Sequence, residues 1–130
     1  MSPALRVLVV DDEPSICQAL KLLLTAHGLA VVTALTAAET KIELATSRFD
    51  VLLLDLRLRD ARGDVLYRSL LEAHPFLQER TLFMTGDISL EAERLIAATN
   101  CPYLRKPFDI TLAVQAITAR AGLELQASSG

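Results

Sequence analysis

Four short apolar runs in this chain each stop at a side chain able to do chemistry. Leu5 to Val10 runs into Asp11-Asp12-Glu13, Val51 to Leu54 into Asp55, Thr81 to Met84 into Thr85-Gly86, and Tyr103 to Arg105 into Lys106-Pro107. As neighbouring parallel strands, these runs would bring three carboxylates, a hydroxyl and an ammonium to one edge of a sheet. Two unit charges about 4 Å apart repel by about 4 kcal/mol at an effective dielectric of about 20. Folding alone disfavours such a cluster, so a cation is expected with it. Hard oxygen donors that cage an ion incompletely suit Mg²⁺.

A carboxylate held rigidly at the end of a strand beside a metal can attack phosphorus and form an acyl phosphate. Asp55 is so placed. Thr85 offers a hydroxyl for one phosphoryl oxygen, Gly86 allows close backbone approach, and Lys106 offers a point charge for another oxygen or for Asp55 itself. Each has an ordinary reading as well. Asp11-Asp12 taken alone could be a polar turn, Asp55 a helix cap, Thr85 a strand threonine and Lys106 a solvated lysine. The joint pattern points to phosphoryl transfer, whose catalysis is mainly positioning and electrostatics.

The elements that must position these groups alternate in period. Pro14 suits the first turn of a helix, in which Ile16, Cys17, Leu20, Leu23 and Leu24 recur on one face, and Gly28 stops it. Leu29 to Leu35 reads as a second strand. Thr36-Ala37-Ala38-Glu39 has the form of a capping box, opening a helix with Ala38, Ile42 and Ala45 inward. Phe49 to Leu54 is apolar without alternation, as a strand covered on both faces must be. Arg57 to Gly63 reads as a polar loop and Asp64 to Ala73 as a third helix ended by His74-Pro75. Thr81 to Met84 is a fourth strand, and Ser89 caps a helix reaching about Thr99. Pro102 to Leu104 is a fifth strand. Asp109 caps a last helix with Ile110, Ala113, Val114, Ile117 and Ala121 inward. Five strand–helix units with short connections imply an α/β doubly wound, five-stranded parallel sheet with five helices. Ligands of such sheets bind outside the carboxyl ends of the strands.

With 130 residues, 52% of them hydrophobic and 22% charged, the chain is expected to be one soluble domain. Residues 1–125 would form it and 126–130 a disordered tail. The net charge is −3 and the 13 basic residues are scattered along the sequence, which argues against direct nucleic-acid contact. Cys17, Cys101, His27 and His74 make no metal-ligand spacing, and a reducing, cytoplasmic setting suits the two cysteines. No run approaches the roughly 18 apolar residues of a membrane span.

With Val9-Val10-Asp11-Asp12-Glu13-Pro14, Asp55, Gly63, Thr85-Gly86 and Lys106-Pro107-Phe108 in this order, the chain resembles the receiver domain of two-component response regulators. The resemblance runs from about Leu5 to Arg120. It implies a flavodoxin-like sheet of order 2-1-3-4-5 and a role for each position. Asp55 would accept a phosphoryl group from a phosphohistidine on a sensor histidine kinase or phosphotransfer domain. Asp12 and Asp55 would bind Mg²⁺, Asp11 would help through water, and the backbone carbonyl of Arg57 would complete the protein ligands. Thr85 and Lys106 would grip the phosphoryl oxygens, and the Lys106-Pro107 bond would be cis. Thr85 and Tyr103 would switch, changing the face of the fourth helix, fifth strand and fifth helix shown to an effector protein or domain. Tyr103 also reads as an ordinary strand aromatic. The implied protein is a signalling phosphoacceptor that promotes its own phosphorylation and dephosphorylation rather than a metabolic enzyme, with a homodimer left open.

Some residues depart from the family pattern. Leu58-Arg59 stand where members often have Met-Pro. Arg57 and Asp87 fall where the family tunes hydrolytic water, and a bulky cation at Arg57 is expected to slow phosphate loss. The stretches His74 to Leu77, Phe83 to Asp87 and Arg105 to Asp109 are similar to receivers fused behind hybrid histidine kinases. Two other readings compete. A flavodoxin-like electron carrier would need a phosphate-cradling first loop, which Asp11-Asp12-Glu13 would repel. A receiver-like module that is never phosphorylated would usually lack one of the acid, acceptor or lysine positions.

Overall fold

The structure, a computed structural model, describes residues 4–122; the tail expected at 126–130 lies outside them. Along the chain come β1 (Arg6–Val10), α1 (Pro14–Ala26), β2 (Ala30–Ala34), α2 (Ala37–Thr46), β3 (Val51–Asp55) and α3 (Gly63–Ala73). A 3-10 turn (Pro75–Glu79), β4 (Thr81–Thr85), α4 (Leu90–Ala97), β5 (Tyr103–Arg105) and α5 (Ile110–Arg120) follow. The strands pair in parallel in the order 2-1-3-4-5, as the resemblance implied. Val10 lies opposite Leu54, and Asp55 opposite Met84, so the carboxyl ends of β1, β3 and β4 are nearly level.

The central strands are buried on both faces, which is why their sequences carry no alternation. The pleat still sorts them. Val7, Val9, Leu53 and Met84 pack with Leu20 and Leu24 of α1 and Ile117 of α5. Leu8, Val10, Leu52, Leu54 and Phe83 pack with Leu44, Leu66, Tyr67, Leu70 and Ile96 of α2, α3 and α4. Each fully buried leucine or valine contributes about 1.5–3 kcal/mol, so the sheet ends are set on a stiff base.

The helix starts follow the capping signals. Thr36 Oγ1 accepts from the Glu39 N–H at 3.0 Å, Ser89 Oγ from the Ala92 N–H at 3.1 Å, and Asp109 Oδ1 from the Thr111 N–H at 2.7 Å. The expected Glu39 return bond goes one residue upstream, to the Leu35 N–H at 3.1 Å. Gly28 takes φ +89° after α1, a conformation open to glycine at little cost.

Several expectations need correction. The inner face of α2 is Ala37, Thr40 and Leu44, not Ala38, Ile42 and Ala45, and Ile42 is 63% exposed. Thr40 can turn inward because its hydroxyl donates to the Thr36 carbonyl at 2.8 Å, which satisfies it inside the helix. Leu23 of α1 is likewise exposed, and Ile16 only half-buried. α4 stops at Ala97, short of Thr99, whose hydroxyl instead donates to the Ile96 carbonyl. The 3-10 turn, which buries Leu77, had no counterpart in the sequence reading.

Candidate functional site

The level strand ends bring the three acids together. Asp11, Asp12 and Asp55 each offer a carboxylate oxygen, and these oxygens lie within 4.8 Å of one another. Asp11 is fully buried and Asp55 nearly so, while Asp12 is half-exposed. Asp11 is fixed on three sides. Its N–H donates to the Ala34 carbonyl at 3.1 Å, its Oδ1 accepts from the Glu13 N–H at 2.9 Å, and its Oδ2 accepts from Lys106 Nζ at 2.6 Å.

Lys106 arrives from the far side of the sheet, just past β5. Its N–H donates to the Thr85 carbonyl at 2.8 Å, and its peptide bond to Pro107 is cis. The ammonium also stands 3.3 Å from Asp55 Oδ2, so one cation bridges two carboxylates. Burial pulls its pKa down, but the hydrogen bond to Asp11 and the charges of Asp55 and Asp11 outweigh that and hold it above the ordinary lysine value. It stays charged.

Burial pushes the Asp55 carboxyl up to about 6; Lys106 opposes this and Asp11 adds to it. One ammonium does not neutralise three carboxylates, so the cluster has the charge and the all-oxygen donor set that a divalent ion requires. A backbone group completes the fit. The loop after β3 closes through an Arg57–Arg62 bridge, with Leu58 N–H on the Ala61 carbonyl at 3.0 Å. Among the described residues the Arg57 carbonyl oxygen is left with no hydrogen-bond donor.

Thr85 ends β4, its side chain nearly buried, and its hydroxyl accepts the Asp87 N–H at 2.9 Å. Asp87 in turn takes the Arg57 guanidinium, Nε at 2.9 Å and Nη2 at 2.5 Å. Its pKa is lowered to about 2, first by the Ser89 N–H and hydroxyl and then by Arg57. Arg57 and Asp87, which the resemblance named together, therefore form one ion pair spanning the loops after β3 and β4. Tyr103 begins β5 with 39% of its surface exposed. Nearby, Arg105 pairs with Glu93 of α4 at 3.6 Å.

Gly63, which the sequence reading used only as part of the family pattern, and Asp60 and Asp64, which it gave no role in the site, hold the loop in place. Gly63 packs so close to the end of β3 that an added Cβ would overlap the Asp55 carbonyl oxygen and come 2.9 Å from Leu56 Cα. Asp60 caps α2 from across the loop, its carboxylate accepting the Ala37 N–H at 2.9 and 3.1 Å. Asp64 is a fully buried carboxylate gripped by Arg62 at 2.6 and 3.1 Å and Arg68 at 3.2 Å. Burial pushes its pKa up, but Arg62's hydrogen bonds and charge prevail and lower it. The Arg62, Asp64, Arg68 spacing was the available signal; the Asp60 cap crosses between elements and left none.

Comparison with known proteins agrees with this geometry. The sequence pattern of the response regulator receiver domain matches residues 7–118. The DNA-binding transcriptional regulator NtrC of Escherichia coli is 37% identical over 116 residues, covering 88% of this chain and 24% of that protein. The transcriptional regulatory protein KdpE of Mycobacterium tuberculosis is 40% identical over 129 residues, covering 91% of this chain and 54% of its own length. The chain thus spans only about a quarter to a half of these relatives. Among solved structures, a CheY-like response regulator receiver domain from Methanospirillum hungatei superimposes with a TM-score of 0.84 at 26% identity, covering 98% of this chain and 99% of that one. Within the described residues no helix is long and apolar enough to cross a membrane. Sheet order, matched pattern and shared identity converge, and the chain belongs to the response regulator receiver domains of two-component signal transduction.

Proposed function

We propose that this chain accepts a phosphoryl group on Asp55 from the phosphohistidine of a sensor kinase or phosphotransfer domain, and that the modified form controls a downstream protein or domain. One observation carries the reading: the carboxylate oxygens of Asp55, Asp11 and Asp12 lie within 4.8 Å, with the Lys106 ammonium 3.3 Å from Asp55. An Asp55 oxygen attacks phosphorus, the P–N bond breaks, and the imidazole leaves with the bonding pair, giving an acyl phosphate. Mg²⁺ held by Asp11, Asp12, Asp55 and the Arg57 carbonyl would offset the crowded carboxylates and the charge on the phosphoryl oxygens.

Lys106 supplies positive charge at the acceptor throughout. A Thr85 hydroxyl that donates to a phosphoryl oxygen turns its proton away from the Asp87 carbonyl, to which it now donates at 3.5 Å. That movement, with rotation of the exposed Tyr103 ring, would shift the population towards a second packing of α4, β5 and α5. Arg57 and Asp87 flank the route of hydrolytic water, and Arg57 slows loss of the phosphoryl group. The protein is a signalling acceptor that promotes its own modification and its reversal, not a metabolic enzyme. Two free, buried cysteines suit a cytoplasmic setting.

The test is incubation with acetyl phosphate and Mg²⁺, read by intact mass. A single added phosphoryl group is expected, absent with EDTA and absent in Asp55→Asn. No adduct from acetyl phosphate or from any kinase, with the protein folded, would remove the proposal.

A further inference from the structure

Parallel strands also gather what precedes them. The basic residues are scattered in the sequence, yet Arg6 begins β1, Arg48 and Phe49 lie just before β3, and Arg80 just before β4. All four line a cavity of about 420 Å³ with His74 and Phe76. It opens at the amino-terminal edge of the sheet. Five-residue strands put it roughly 16 Å from the acid cluster.

Of the ten arginines, four (Arg57, Arg62, Arg68 and Arg105) pair with carboxylates among the described residues. Three of the other six line this one cavity. The single acid in its wall, Asp50, is turned to the backbone: its Oδ2 accepts the Arg6 N–H at 2.8 Å. Arg6 Nε donates to the Arg48 carbonyl at 2.7 Å and Arg80 Nη1 to the Asp50 carbonyl at 3.3 Å. These neutral acceptors aim two guanidinium groups without cancelling their charge. The Arg48 side chain has no partner among the described residues. The rest of the wall combines Phe49, His74 and Phe76 with Leu44 and Ser47. Phe49 is nearly buried with Arg6 stacked on it at 5.3 Å, whereas Phe76 is 47% exposed and meets His74 edge-on at 6.2 Å.

We propose that this cavity is a second binding site, taking a planar aromatic anion about the size of a nucleoside monophosphate. Guanidinium groups match phosphate or carboxylate oxygens in pairs, an exposed phenyl face stacks a flat ring, and the volume falls in the range of small-molecule sites.

The test is titration of the isotope-labelled full chain with AMP, adenosine or inorganic phosphate, without Mg²⁺, followed by amide NMR shifts. AMP should move the amides of Phe49, Asp50 and Phe76 with saturation below about 1 mM, and phosphate and adenosine should each bind at least about tenfold more weakly. Arg48→Ala, at an exposed and unpaired side chain, should weaken AMP about fivefold, and Phe76→Ala by a similar factor, with thermal unfolding unchanged. Phosphate binding as tightly as AMP would overturn the aromatic half of the proposal. Shifts confined to Asp11, Asp55 and Thr85, or none at about 10 mM AMP, would overturn the whole. So would an acidic peptide that saturates these amides where AMP does not.

Discussion

Replacing Asp55 by asparagine should make the metal-free protein more stable. The carboxyl is raised from an ordinary 3.8 to about 6, chiefly by burial. A rise of about two units, at about 1.4 kcal/mol each, means that ionised Asp55 costs about 3 kcal/mol of folding free energy at neutral pH. Because the folded-state value is the higher one, the stabilising contribution belongs to the protonated acid. It is fully present below 3.8 and is lost as pH rises through about 6. Asparagine keeps the shape without the charge, and Lys106 keeps its 2.6 Å bond to Asp11, so no ammonium is stranded. For a domain of this size the gain corresponds to a Tm increase of roughly 10 °C. Urea or thermal unfolding in EDTA measures it. The difference should be large at about pH 7.5 and close to zero at about pH 4. Mg²⁺ at about a hundred times its dissociation constant should stabilise the parent by about 2.7 kcal/mol and the variant by less. An asparagine variant no more stable than the parent at neutral pH, or equally advantaged at both pH values, would refute the repulsion argument.

Lys106→Ala leaves the fully buried Asp11 facing Asp55 with no cation between them. It should cost about 3 kcal/mol in urea unfolding and abolish most labelling by acetyl phosphate. Gly63→Ala forces a methyl group onto the Asp55 carbonyl oxygen; a loss of at least about 2 kcal/mol is expected, together with slower labelling of Asp55. Arg57→Ala should shorten the lifetime of the phosphorylated form about threefold, read as loss of the adduct after donor removal. An unchanged lifetime would place Arg57 outside the route of water.

The strand ends were legible in the sequence because central parallel strands are buried on both faces. Their apolar runs are therefore unbroken, and the residue that breaks each run lies at the sheet edge. Asp11, Asp12, Asp55, Thr85 and Lys106 could be read for that reason, and so could their shared location once the runs were taken as parallel. The face of α2 could not. Hydrophobicity favoured Ile42, but the helix phase puts Thr40 inside, where an internal hydrogen bond hides its hydroxyl, and leaves Ile42 in water. The support around Asp55 was also hidden. Asp60 caps a helix that precedes it by more than twenty residues, and Asp64 is a buried charge only because Arg62 and Arg68 close over it. Likewise the resemblance named Arg57 and Asp87 together, but nothing in the sequence showed that the loops after β3 and β4 meet in an ion pair. Such contacts are properties of the packed loops, and no local period encodes them.

The most direct test of the account is to find where phosphorus lands. Protein treated with acetyl phosphate and Mg²⁺ is reduced with borohydride, which converts an aspartyl phosphate to homoserine, and is then mapped by peptide mass spectrometry. Homoserine at position 55, and at no other aspartate, is the predicted result. Homoserine at position 11 or 12, or an unmodified Asp55 peptide in protein carrying the full added mass, would contradict it.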